Sequence, residues 1–173
     1  MPYDARHLAN FMLDEAERSN SALTPMAIQK LVFFSHGWSL AHRTRSLVSN
    51  SFEAWKYGPV VRVVWDEFKK FGNKVVTTRA AFTNPMTGEA RLVPYSFEEA
   101  DRQFLELVFR YYGGLSAGTL SEMTHEAGMP WVEVRERMTS EANFGGVISD
   151  ELIAKSFKSL SFSWLADPHS FLF

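Results

Sequence analysis

One segment, residues 25–42, limits the possible folds of this chain more than any other. Thr24 is a good N-cap, and Pro25 suits the first helical position, where no backbone N–H is needed. The predicted helix is apolar on nearly every side. Its large or apolar members are Met26, Ala27, Ile28, Leu31, Val32, Phe33, Phe34, Trp38 and Leu40. A helix without a polar face is usually surrounded by protein, so we expect it at the centre of a domain.

The same segment is too short and too polar at its ends to cross a bilayer. Its most apolar part, residues 31–41, lies between Lys30 and Arg43 and contains His36. A membrane-spanning helix needs about 20 apolar residues. Charged residues within the first helical turns at the N-terminus of the chain also argue against a secretory signal. We therefore predict no membrane segment and a cytoplasmic location.

The remaining segments predict a mainly α (α+β) fold, with residues 1–173 forming a single domain. Caps and apolar stripes predict further helices over 4–18, 59–71, 96–112, 116–126, 130–138 and 149–160. In these assignments Pro59 opens one helix, and Ser96 with Glu99 forms the capping box of another. Residues 52–55 are expected to be extended. Strand-like residues at 75–78 and 91–93 predict a small β-hairpin within 74–94. The apolar tail, 161–173, is expected to dock back or to meet a partner.

Composition removes several classes of function. The formal net charge is −2, so there is no strong nucleic-acid signal, which usually takes the form of a basic excess. The chain has no cysteine, which excludes disulfides and thiolate metal sites and is compatible with a reducing compartment.

The histidines and acidic residues do not form a recognisable catalytic or metal-binding motif. His36 and His42 are six residues apart and face different directions on a helix, so they cannot bind one metal together. A metal site formed by His36 and His125 across the fold stays open as an alternative. Glu53 is the best acid–base candidate, although strand alternation favours pointing it to solvent. We predict no catalytic, cofactor-binding or metal-binding residues. The alternative is a small hydrolase that uses His125 and Glu53, with or without a metal.

Four of the five tryptophans divide into two groups. Trp38 and Trp65 lie on apolar helical stripes and are predicted to be core residues. Trp55 and Trp131 each stand beside a turn or a proline. Such rings either pin a loop onto the core or form an interaction hot spot, and the sequence supports both interpretations equally.

Three ordered motifs together resemble those of a known family. They are Gln-Lys-Leu-Val-Phe-Phe-Ser-His-Gly-Trp at 29–38, Glu-Ala-Trp-Lys-Tyr-Gly-Pro-Val at 53–60, and Leu-Ser-Glu-Met-Thr-His at 120–125 followed by Pro-Trp at 130–131. In this respect residues 4–160 resemble the Panacea domain, the SocA-like or GepA-like phage-associated family. The resemblance implies an antitoxin of a bacterial or prophage toxin–antitoxin pair, without a cofactor, that binds and neutralises a cognate toxin. A further possibility that it implies is an adaptor that delivers the toxin to a protease.

The motifs also supply the candidate partner-binding residues. These are Trp55, Tyr57, Gly58, Pro59, His125 and Trp131. We hypothesise that the turn from Trp55 to Pro59 lies close to the segment from His125 to Trp131, because each is a short aromatic element that must bury its ring. We expect Trp131 and Tyr57 to support the fold, and Trp55 to be partly exposed for binding.

Overall fold

The computed structural model of the chain describes residues 1–138 and 145–160. This part of the chain contains seven α-helices and two small antiparallel sheets, so the predicted mainly α (α+β) class is confirmed. The apolar tail, about which we made a prediction, lies outside the described residues. No helix among those described is long and apolar enough to span a bilayer.

Helix α2 (Pro25–Arg43) occupies the centre of the fold, as predicted. The Thr24 side chain caps it by accepting a hydrogen bond from the Ala27 N–H, and every residue from Ala27 to Ala41 is buried. Around it pack α1 (Ala5–Arg18), α4 (Glu99–Tyr112), α5 (Ala117–Thr124) and α7 (Asp150–Ser159). The crossing of α2 with α7 is close, because a side chain at Gly37 would overlap the Phe157 ring.

The larger sheet holds the segment that carries the central motif. Strand β1 (Phe52–Trp55) pairs antiparallel with β2 (Gly58–Val61) on one side and with β5 (Val147–Ile148) on the other. The order β2-β1-β5 makes β2 an edge strand. Helix α3 (Arg62–Phe68) and a 3-10 turn (Lys69–Phe71) follow β2 directly.

The prediction that Pro59 opens a helix is wrong. Pro59 lies inside β2, opposite Ala54 in β1, and α3 begins only at Arg62. An edge strand tolerates proline because its outer side has no ladder hydrogen bond to lose. The chain therefore makes a strand first, and the helical stripe starts three residues later than expected.

Two other local predictions need correction. The hairpin exists within 74–94, but its strands are β3 (Ala81–Thr83) and β4 (Ala90–Leu92), and residues 75–78 form no strand. There the Val76 N–H donates to the Leu23 carbonyl, a single contact rather than a ladder. The predicted capping box at Ser96 is also absent, because α4 begins at Glu99. Asp101, in its first turn, is buried by the hydroxyl of Tyr3 and two arginines.

Candidate functional site

The candidate site is built around the tight connection between β1 and β2, residues 55–59, which we call the aromatic turn. Side chains from two helices donate hydrogen bonds to its backbone. The Trp131 Nε1–H, from α6 (Pro130–Arg137), donates to the Trp55 carbonyl at 2.7 Å. The Ser121 hydroxyl, from α5, donates to the Tyr57 carbonyl at 2.9 Å. The hypothesis that the turn and the segment from His125 to Trp131 lie close together is confirmed.

The third support of the aromatic turn comes from beneath it. The Lys30 Nζ, on α2, donates to the Pro59 carbonyl at 3.1 Å. Gly58 passes directly over this ammonium with φ of +105°, a left-handed conformation that favours glycine. A Cβ at Gly58 would lie 2.6 Å from both the Lys30 Nζ and the Thr124 Oγ1. The turn therefore needs glycine here for its conformation and for the close approach.

Gln29, the neighbour of Lys30, fixes the strand that leaves the turn. Its side-chain Oε1 accepts from the Val61 N–H at 2.8 Å, and its Nε2 donates to the Val61 carbonyl at 3.1 Å. One amide thus satisfies both backbone groups of a residue on the edge strand, as a neighbouring strand would. The two adjacent polar residues of α2 together hold β2 against the central helix.

Lys30 is electrostatically unusual. It is 1% exposed, and no carboxylate pairs with it anywhere in the described ranges. Burial lowers the pKa of its ammonium to about 7. Burial, and then the charge of Lys30, also lower the pKa of His125, whose ring packs against that of Trp131 with the centroids 3.8 Å apart. The backbone of the turn thus covers a buried amine that has no carboxylate partner among the described residues.

Beside the aromatic turn lies a pocket of about 660 Å³, which we call the turn pocket. Its walls include Trp55, Tyr57, Val60, Met26 and Trp65. The centroids of the two tryptophan rings are 5.2 Å apart. Within residues 1–138 and 145–160, the charged residues that line it are two lysines, Lys30 and Lys56. The described lining is therefore apolar and aromatic, and the charged side chains in it carry amines rather than carboxylates.

Two predictions for aromatic residues are corrected by this arrangement. Trp65 is not a core residue, because it is only half-buried and lines the turn pocket. Tyr57 was expected to support the fold, but it is 62% exposed. The structure anchors Tyr57 through its backbone carbonyl, so its ring is free to project from the turn. Trp131 and Trp55 are both half-buried.

The groups invoked for a hydrolase have other partners. The Glu53 carboxylate accepts from the Trp55 Nε1–H at 2.7 Å and forms an ion pair with Arg62 at 2.8 Å. The His36 Nε2 lies 3.0 Å from an Asp150 carboxylate oxygen, and its Nδ1 accepts from a backbone N–H. Across residues 1–138 and 145–160, no three histidine or acidic side chains are grouped as metal ligands.

Sequence reasoning missed Gln29, Lys30 and Ser121 as contributors to the site. The available signal was the pair Gln29–Lys30, two long polar residues inside an otherwise apolar helix. Long polar side chains at a fully buried position require partners. Here those partners are backbone groups of Pro59, in the aromatic turn, and of Val61, two residues beyond it.

Comparisons with known proteins agree with the motifs from which the site is built. The family model described as "Antitoxin SocA-like, Panacea domain" matches residues 28–132, a range that runs from α2 to α6 and contains the aromatic turn and the side chains that hydrogen-bond to it. Antitoxin SocA of Caulobacter vibrioides is 33% identical over 155 residues, which cover 90% of this chain and 82% of that protein. No solved structure matches the chain significantly. The chain therefore belongs to the family of SocA-like antitoxins that carry the Panacea domain.

Proposed function

We propose that this protein is a cytoplasmic antitoxin that neutralises a cognate toxin by binding it directly through the face around the aromatic turn. The observation that carries the proposal is the exposed Tyr57 ring on a rigidly held turn. Tyrosine and tryptophan are over-represented at interaction hot spots. The backbone on either side of Tyr57 is fixed by Trp131, Ser121 and Lys30. A fixed turn loses little conformational entropy on binding, which favours affinity.

The surroundings of Tyr57 extend this face. Lys56, also on the turn, is exposed, and its ammonium lies 5.2 Å from the centre of the Tyr57 ring. The guanidinium of Arg62 lies 5.3 Å from the Trp55 ring. Aromatic rings with cations over or beside them are common in protein interfaces, where both groups become desolvated.

The test uses the product of the reading frame adjacent to this one as the toxin. We expect co-expression to restore growth and the two purified proteins to form a complex measurable by calorimetry. Tyr57→Ala should weaken that complex more than tenfold while the melting temperature stays within about 2 °C. The matched control is Tyr111→Ala, a partly exposed tyrosine on α4 that does not line the turn pocket. It should change the affinity less than twofold.

The same experiment separates direct neutralisation from delivery to a protease. An immunoblot of the toxin should show unchanged amounts when growth is restored. A toxin level that falls, and that recovers when cellular proteases are deleted, would instead identify an adaptor. Growth rescue without any complex between the purified proteins would refute direct binding.

A further inference from the structure

We infer that the turn pocket receives an apolar side chain of the partner that is flanked by carboxylates, so that the bound segment is both hydrophobic and acidic. This inference rests on the proposed function, because it specifies the chemistry of the toxin segment that reaches the site. It depends on the shape and lining of the pocket and on the distribution of charge around it.

The apolar part of the inference follows from the pocket walls. A concave site of about 660 Å³ lies in the range typical of binding pockets. Trp55 and Trp65 form one side, and Met26 and Val60 contribute aliphatic surface. A side chain packed against these two indole rings, whose centroids are 5.2 Å apart, removes much apolar area from water. An aliphatic or aromatic residue fits this lining better than a polar one.

The acidic part follows from the charges that line the pocket. Among the described residues that line it, the charged ones are Lys30 and Lys56, and none is a carboxylate. Lys30 is almost fully buried, and within the described residues its ammonium donates to the Pro59 carbonyl and is not paired with a carboxylate. A buried ammonium without a counter-charge is costly, and a carboxylate brought by a partner would lower that cost.

Two nearby cations differ from Lys30, because each of them has a carboxylate partner. Arg62 is paired with Glu53, and Lys69, which lies over the Trp65 ring, is paired with Asp66. The chain as a whole has a formal net charge of −2. The two lysines therefore belong to the lining of the turn pocket and not to a generally basic surface, which a nucleic-acid-binding protein would have.

The probe is a capped hexapeptide with two central leucines and four flanking aspartates, titrated into the full chain by calorimetry. One comparison peptide replaces the aspartates with lysines, and another replaces the leucines with serines. We expect the acidic apolar peptide to bind at least tenfold more tightly than either. A single-stranded oligothymidylate of six nucleotides serves as a fourth probe. Tighter binding of this probe, or of the lysine peptide, would overturn the inference.

Two substitutions in the pocket wall test the site, and one on a distant hairpin is their control. Met26→Glu places a carboxylate in the turn pocket at the start of α2, where a negative charge is compatible with the helix dipole. Met86→Glu makes the same change on the β3–β4 hairpin, where the methionine is 91% exposed. Ala117→Trp fills the pocket from α5 without altering charge. Met26→Glu and Ala117→Trp should each weaken peptide binding at least tenfold, and Met86→Glu less than twofold.

The toxin itself distinguishes failure of this inference from failure of the proposed function. If the toxin binds the wild type, Met26→Glu and Met86→Glu equally well, direct neutralisation stands and the turn pocket is not the site. If the toxin does not bind the wild-type protein at all, the proposed function fails. Absence of peptide binding to the wild type at millimolar concentration would also overturn the inference.

Discussion

Replacing the buried lysine beneath the aromatic turn should stabilise this protein, and by an amount that depends on pH. Lys30→Met keeps the length of the side chain and removes its charge. The ordinary pKa of a lysine ammonium is 10.5, and burial lowers the pKa of Lys30 to about 7 in the folded protein. Each pKa unit corresponds to about 1.4 kcal/mol, so keeping Lys30 protonated costs the folded state about 5 kcal/mol well below pH 7.

The sign of the pH dependence follows from proton binding. Between about pH 7 and 10.5 the unfolded chain holds the lysine proton more tightly than the folded chain does. Wild-type stability therefore rises with pH in this window, and the penalty is fully present below it. The substitution also leaves the Pro59 carbonyl without its hydrogen bond, a loss of about 1–2 kcal/mol. We expect Lys30→Met to be more stable by about 3 kcal/mol at pH 7 and by about 1 kcal/mol or less at pH 9.

Urea unfolding of both proteins at pH 7, 8 and 9 measures this difference. The window lies above the titration of His125, whose pKa is lowered by burial and by Lys30 itself. Lys56→Met, on the exposed part of the same turn, is the control and should show no pH-dependent difference from wild type. A stability difference for Lys30→Met that stays constant from pH 7 to 9 would refute the argument, because it would mean that the ammonium is solvated.

Three substitutions test the packing around the site and the central helix. Gly58→Ala should destabilise by about 2–3 kcal/mol through strain and crowding, whereas Gly88→Ala, at a left-handed position with open space, should cost about 1 kcal/mol. Trp131→Ala removes a half-buried indole and its hydrogen bond to the turn and should cost about 3 kcal/mol. Gly37→Ala should cost about 2 kcal/mol, because its methyl group displaces the Phe157 ring. Thermal and urea unfolding measure all of these changes.

The contradicting results differ among the three. Equal costs at Gly58 and Gly88 would show that crowding over Lys30 adds nothing to the backbone strain. A Trp131→Ala protein with wild-type stability would show that this residue belongs to a binding surface alone. A neutral Gly37→Ala would mean that α2 and α7 separate without loss.

Signals that are complete within one helical turn were sufficient to locate most helices. Asp4, Thr24, Ser116 and Ser149 were identified as N-caps or helix starts, and each accepts a backbone hydrogen bond at a helix start. The central place of α2 also followed directly from its composition, since a helix with apolar residues on all sides must be buried. These outcomes depend on neighbours along the chain.

The same kind of signal failed where distant groups compete for the backbone. Pro59 has the right residue type for a helix start, but the side chain of Gln29, 32 residues before Val61, holds that segment in a strand. Ser96 precedes a suitable glutamate, but α4 begins only at Glu99. In its first turn Asp101 is buried and is held by three distant residues, Tyr3, Arg43 and Arg45.

The site shows the same division. The sequence alone identified the motif residues and suggested that their segments meet, because short aromatic elements need a surface to cover. It did not reveal that Lys30 lies under Gly58, that Trp65 lines a pocket, or that Tyr57 points outward. Those facts depend on how α2, α5 and α6 converge on one turn. An apolar stripe in the sequence indicates that one face of a helix avoids water. Only the packed structure decides whether that face is buried in the core or lines an open pocket.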